Sequence, residues 1–121
     1  MEKIHFLTFV IMISLLLSQL VKAETVEVVV FKTKDTISSS QLIHSASLMQ
    51  ETLRKWDGFI SRELVKVSDT TWIDVVHWEN QSAAKSAQEK AMKSSVCLTF
   101  FNLIDNKQQQ FYHGEILLKQ N

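Results

Sequence analysis

The sequence predicts an α+β domain in which a four-stranded antiparallel sheet carries helices on one face. Three observations predict it. Four segments are dominated by alternating, β-branched or aromatic residues. Two longer segments between them place apolar side chains at helical spacing. The order is strand, helix, strand, strand, helix, short helix, strand, which is the split β-α-β arrangement of ferredoxin-like sheets.

Residues 24–34 form the first expected strand. Val26, Val28 and Val30 alternate with Glu27, Val29 and Phe31, so both faces carry apolar groups and both are expected to be covered. Residues 38–55 form the first helix. Ser38 and Gln41 have capping-box spacing. Leu42, Ala46, Met49 and Leu53 recur on one face, and His44, Ser47, Glu51 and Lys55 fall on the other. Asp57-Gly58 ends the element.

Residues 59–67 and 71–78 read as a hairpin, with turn chemistry at Ser68-Asp69-Thr70. A two-residue loop at Asp69-Thr70 would set Arg62 opposite His77 and Leu64 opposite Val75; a longer loop would shift that register. Trp72, Asp74, Val76 and Trp78 would then share one face, and Ile73, Val75 and His77 the other. Asn80 caps a second helix over 80–94, with Ala83, Ala84, Ala87 and Ala91 as a narrow stripe that permits close approach to a sheet. A short helix or turn follows over 96–104, with Val96, Cys97, Phe100, Phe101 and Ile104 on one side. Residues 109–118 supply the fourth strand. Helices cover one sheet face; the other is too apolar for water, and a second copy packed sheet to sheet would cover it.

The chain has 121 residues with 13 basic and 13 acidic side chains, which allows one domain and gives no electrostatic reason to expect a nucleic acid as partner. Residues 1–23 read as a secretory signal. Lys3 opens it, an apolar run covers 4–17, and Val21 and Ala23 stand where a signal peptidase would cut. That run is short of the roughly 20 residues that cross a bilayer, so no stable membrane anchor is expected after cleavage. The mature domain is then 24–121, near neutral in charge, and periplasmic or secreted. Cys97 is the single cysteine, so no internal disulfide forms, and its apolar neighbours mark it as a core residue.

Two stretches, Gly58-Phe59-Ile60-Ser61-Arg62-Glu63-Leu64 and Trp72-Ile73-Asp74-Val75-Val76-His77-Trp78-Glu79, together resemble the antibiotic biosynthesis monooxygenase-like domains. The alanine-rich second helix, Lys93-Ser94-Ser95 and Phe100-Phe101 continue the likeness. The resemblance implies a dimeric α/β barrel with a pocket between sheet and helices. It also implies that some members oxidise polycyclic phenols or quinols with molecular oxygen, using neither metal nor flavin, whereas others degrade heme.

Trp78 ends a strand just before a helix, where it either borders that pocket or belongs to the core. His77 and His113 are the candidate bases, since imidazole titrates near neutral pH. By alternation His77 and Trp78 lie on different faces, and His77 could instead face a dimer interface beside Arg62. Phe31, Met49, Phe100 and Phe101 are candidates to line a flat-ligand site, or are plain core. Arg62, Glu63 and Asp74 are charges inside apolar strands that need partners, by cross-strand or intersubunit pairing, with Arg62 also a candidate to orient substrate. His44, His77, His113 and Cys97 lack metal-ligand spacing, so neither metal nor cofactor is expected. The heme-degrading branch uses an asparagine on the first strand and a histidine on the second helix, and this chain has neither there. The expectation is a cofactor-independent monooxygenase acting on a flat phenol or quinol; the alternative is a dimeric protein that binds a hydrophobic aromatic molecule without turnover.

Overall fold

The computed structural model describes residues 23–121; the expected signal, apart from Ala23, lies outside the described residues. The elements are β1 (Thr25–Thr33), α1 (Ser39–Leu53), β2 (Phe59–Lys66), β3 (Thr71–Trp78), α2 (Gln81–Ala91), α3 (Ser95–Phe101) and β4 (Ile104–Glu115). The strands form one sheet in the order β2-β3-β1-β4, with every neighbouring pair antiparallel. This is the ferredoxin-like α+β architecture expected above.

Local chemistry sets the element boundaries. Ser38 closes the capping box that starts α1: the Gln41 N–H donates to Ser38 Oγ at 3.2 Å, and the Ser38 N–H donates to Gln41 Oε1 at 2.8 Å. Leu42, Ala46, Met49 and Leu53 are all buried, so the predicted stripe is the packed face. Asn80 Oδ1 accepts from the Ala83 N–H at 2.9 Å and Ser94 Oγ from the Cys97 N–H at 3.3 Å, starting α2 and α3.

Gly58 carries the chain out of α1 at φ +82°, a region where side chains are strained. A Cβ there would also collide with Ala83 Cβ on α2. Its carbonyl accepts the Glu79 N–H at 2.8 Å, tying the start of β2 to the end of β3. Gly58→Ala is expected to cost about 2–4 kcal/mol, from left-handed strain plus overpacking. Urea denaturation measures it, and an unchanged midpoint would remove this account of the junction.

Two registers depart from expectation. The β2–β3 loop has three residues, Ser68 to Thr70, with the Val67 N–H donating to Thr71 O at 2.9 Å. Arg62 therefore pairs with Val76, and Leu64 with Asp74, one position away from the two-residue-loop register. A one-residue slip exchanges faces, so Arg62 looks toward the helices and not toward the face that carries His77. A bulge between Phe59 and Ser61 then lets Phe59 share the helix side with Arg62. Ile60, the extra residue, is turned outward and exposed.

The fourth strand begins at Ile104, five positions before the expected start. It is irregular: Lys32 pairs with Asp105, but Val30 pairs with Gln110. Phe31 alone therefore faces the segment 106–109. That segment is polar and weakly patterned (Asn106-Lys107-Gln108-Gln109), which hid the start of the strand. Past Glu115 the ladder ends, and Leu117 and Leu118 are exposed.

The core lies between the sheet and the helices. Phe31, Leu42, Met49, Leu53, Trp72, Cys97, Phe100 and Ile104 pack under α1 and α3, while Val76 and Trp78 pack under Ala84 and Ala87 of α2. Phe31 and Phe100 meet edge to face, with centroids 6.0 Å apart. Cys97 is fully buried, and burial pushes its thiol pKa up, which makes it an inert core residue. Among the described residues, no helix covers the opposite sheet face. Val28 of β1 lies between Val75 and Tyr112, and Val30 neighbours Ile73, so an apolar surface faces outward. No helix among the described residues is long and apolar enough to cross a membrane.

Candidate functional site

A cavity of about 360 Å³ opens between the sheet and the helices. Its floor is Glu27, Val29 and Phe31 of β1, Asp74, Val76 and Trp78 of β3, and Phe111 of β4. Alternation explains the set: these are the inward positions of each strand. Met49 and Leu53 of α1, Ala87 and Ala91 of α2, and Phe100 and Phe101 of α3 form the walls. The small alanine side chains of α2 leave the space. Asn106 and Gln109, from the irregular part of β4, join Gln88 and Asn102 as polar groups in the lining. A mostly apolar slot with a few convergent polar groups is the usual form of a small-molecule site.

Trp78 is 1% exposed and meets Phe59 edge to face at 5.7 Å. It is both core and cavity wall, so the two readings of the sequence coincide in one side chain. Its Nε1 is buried with no hydrogen-bond partner among the described residues. Phe31, Met49, Phe100 and Phe101 also reach the cavity lining.

Arg62 does not. Its Nε donates to Asp74 Oδ1 at 2.8 Å and its Nη2 to Asp74 Oδ2 at 2.6 Å, while Nη1 donates to Ala46 O at 2.9 Å. The guanidinium also lies over the Phe100 ring, 5.2 Å from its centroid. The side chains of Arg62 and Asp74 are 1% and 8% exposed. This is a bidentate cross-strand pair between diagonal neighbours, with the remaining donor facing the helix backbone. With its donors so engaged, Arg62 ties Asp74 to the backbone of α1 and does not enter the cavity lining.

The two histidines lie on opposite sheet faces. His77 is outside the cavity, on the open face, with Nδ1 3.1 Å from Glu24 Oε1 and Nε2 3.8 Å from Glu63 Oε1. His113 is on the helix side, edge to face with Phe111 at 4.9 Å. Its Nε2 is 2.8 Å from Glu27 Oε2. Of this pair, Glu27 is the member that lines the cavity. Burial raises the Glu27 pKa, and the hydrogen bond and charge of His113 partly oppose that rise.

Glu27 was the residue that sequence reasoning missed. Its phase with Val29 and Phe31 put it on the inward face, but its partner depends on the β1–β4 register, which the polar start of β4 obscured. His44 is exposed on the outer side of α1. Among the described residues no group of three or more His, Cys, Asp or Glu is placed to hold a metal ion.

No protein-family model matches the chain, and no curated protein matches it. Solved structures do. The cofactor-independent oxygenase SnoaB from Streptomyces nogalater superposes with a TM-score of 0.58 at 13% identity, over 82% of this chain and 96% of that one. A heme-degrading protein from Mycobacterium tuberculosis, solved heme-free, gives 0.56 at 14% identity, over 83% and 98%. A protein of unknown function from Nitrosomonas europaea gives 0.64 at 8% identity, over 84% and 96%. The chain has the antibiotic biosynthesis monooxygenase-like fold. At these identities the likeness extends to the fold alone. The residues here do not fit a histidine-held heme: α2 has no histidine, β1 has no asparagine, and among the described residues no histidine is in the cavity lining.

Proposed function

We propose that the cavity binds a flat phenol or quinol and that the protein oxidises it with molecular oxygen, without metal or organic cofactor. The observation that carries this is the apolar slot walled by Trp78, Phe100 and Phe101, whose floor holds the desolvated carboxylate of Glu27, an acid not bound by Arg62. Such a site orients a planar ring, excludes water and helps remove a phenolic proton, leaving an electron-rich anion that reacts with oxygen. The oxygenase activity of a protein with the same fold supports the reading. A second reading is a binding protein that shelters an aromatic molecule without turnover. It draws support from the two candidate bases, since neither His77 nor His113 enters the cavity lining.

The test uses 1-naphthol under labelled oxygen gas. Oxygenation consumes one dioxygen per naphthol: one atom enters the ring to give the naphthoquinone and the other leaves as water. The expected result is one labelled oxygen per quinone, formed faster than in the protein-free control. Tight naphthol binding with no quinone above that control would favour the binding protein.

The open sheet face supports a homodimer as the working unit. Val28, Val30, Ile73 and Val75 form its centre, with Val65 and Tyr112 exposed beside them. Packing two such faces gives an isologous interface and a closed barrel. Val75→Glu is expected to convert a sedimenting dimer to monomer; a monomeric wild type would contradict the arrangement. The apolar segment before residue 24 supports export to the periplasm or the cell exterior, with that segment removed as a signal.

A further inference from the structure

We propose that Glu27 is the group that accepts the hydrogen of the substrate's hydroxyl, and that His113 is a positioning residue that holds Glu27 in place. The proposal rests on the phenol reading above and names the residue that recognises that substrate class.

The geometry separates the two roles. Glu27 lines the cavity and His113 does not. Glu27 Oε2 is held at 2.8 Å by His113 Nε2, and no side-chain hydrogen bond engages Oε1 among the described residues. The Glu27 side chain is 17% exposed and that of His113 is 26% exposed, so Glu27 is the more enclosed of the two. The other acid in the lining, Asp74, has both oxygens bound by Arg62. Glu27 is therefore the carboxylate with capacity left for a ligand.

The lining also defines what the ligand must bring. Among the described residues it contains no lysine, arginine or histidine. A carboxylated or phosphorylated aromatic would place its charge against Glu27 with no cation in the lining to meet it. A neutral hydroxylated ring supplies the donor that the carboxylate lacks. In the reacting complex, the phenolic O–H bond breaks and its proton passes to Glu27 Oε1, leaving the phenolate in the slot and a neutral carboxyl bonded to His113.

The pH dependence follows from the groups that face Glu27. Desolvation raises its pKa from the ordinary carboxylate value; His113 on β4 and Arg62 on β2 lower it, and Asp74 on β3 raises it. No ionisable residue of α1, α2 or α3 lines the cavity. The accepting form is the carboxylate, so recognition of a hydroxyl is lost as pH falls through this raised pKa. Removing His113 removes a lowering influence and moves that loss to higher pH.

The probes are 1-naphthol and 1-methoxynaphthalene, which differ in the hydroxyl hydrogen. Binding is read by quenching of protein tryptophan fluorescence across pH. Wild type is expected to prefer the naphthol about tenfold or more when Glu27 is ionised, as befits a hydrogen bond to a charged acceptor. The preference disappears on acidification. Glu27→Gln shows a small, pH-independent preference, and His113→Asn keeps the preference with its acid loss shifted upward. A full preference in Glu27→Gln, or an unshifted loss in His113→Asn, overturns the assignment while leaving the cavity reading intact. Equal binding of both probes by wild type also overturns it. Binding of neither probe overturns the phenol reading and this assignment together.

Discussion

Replacing Arg62 with leucine is expected to destabilise the fold by about 3–5 kcal/mol, the usual consequence of leaving a buried charge without its partner. Asp74 would lose both of its hydrogen bonds from Arg62, and the carbonyl of Ala46 would lose its side-chain donor. The guanidinium stem and its contact with Phe100 would go as well. The double variant Arg62→Leu with Asp74→Leu should recover much of the loss, because an apolar pair leaves no orphaned charge. Chemical denaturation of the four proteins in the cycle measures this. A single variant as stable as wild type would mean that the pair is not what locks β2, β3 and α1 together. If Arg62 instead bound substrate, its replacement would weaken ligand affinity without unfolding the protein.

Trp78→Ala is expected to cost about 3–5 kcal/mol of stability and to abolish measurable binding of a flat phenol. Its indole is buried against Phe59, Val76 and the alanines of α2, so truncation opens a void that merges with the cavity. Stability and binding can be separated with Trp78→Phe. Nε1 has no partner among the described residues, so replacing the N–H strands no protein acceptor. The phenylalanine variant should therefore lose less stability than the alanine variant and retain weakened binding. Full turnover in a folded Trp78→Ala protein would remove Trp78 from the site.

The fold was largely legible because strong local signals agreed. The Ser38–Gln41 capping box, the Leu42-Ala46-Met49-Leu53 stripe and the β-branched strands all point the same way. The site was legible in its apolar part for the same reason: Phe31, Met49, Trp78, Phe100 and Phe101 sit at inward positions of patterned elements. Its polar part depends on pairing between distant strands. A three-residue turn in place of two brought Arg62 to Asp74 instead of beside His77. The Glu27–His113 contact spans β1 and β4 and needs a register that the polar segment 106–109 does not announce. Alternation alone did assign His77 and Trp78 to different faces, since that follows from adjacent positions on one strand.

A flat phenol is expected to be held in the helix-side cavity. A crystal structure of the protein grown with 1-naphthol tests it most directly. The rings are expected to lie in the slot beside Trp78 and Phe100, with the hydroxyl oxygen within hydrogen-bond distance of Glu27. Naphthol seated elsewhere on the protein, with the slot closed by side chains, would contradict it.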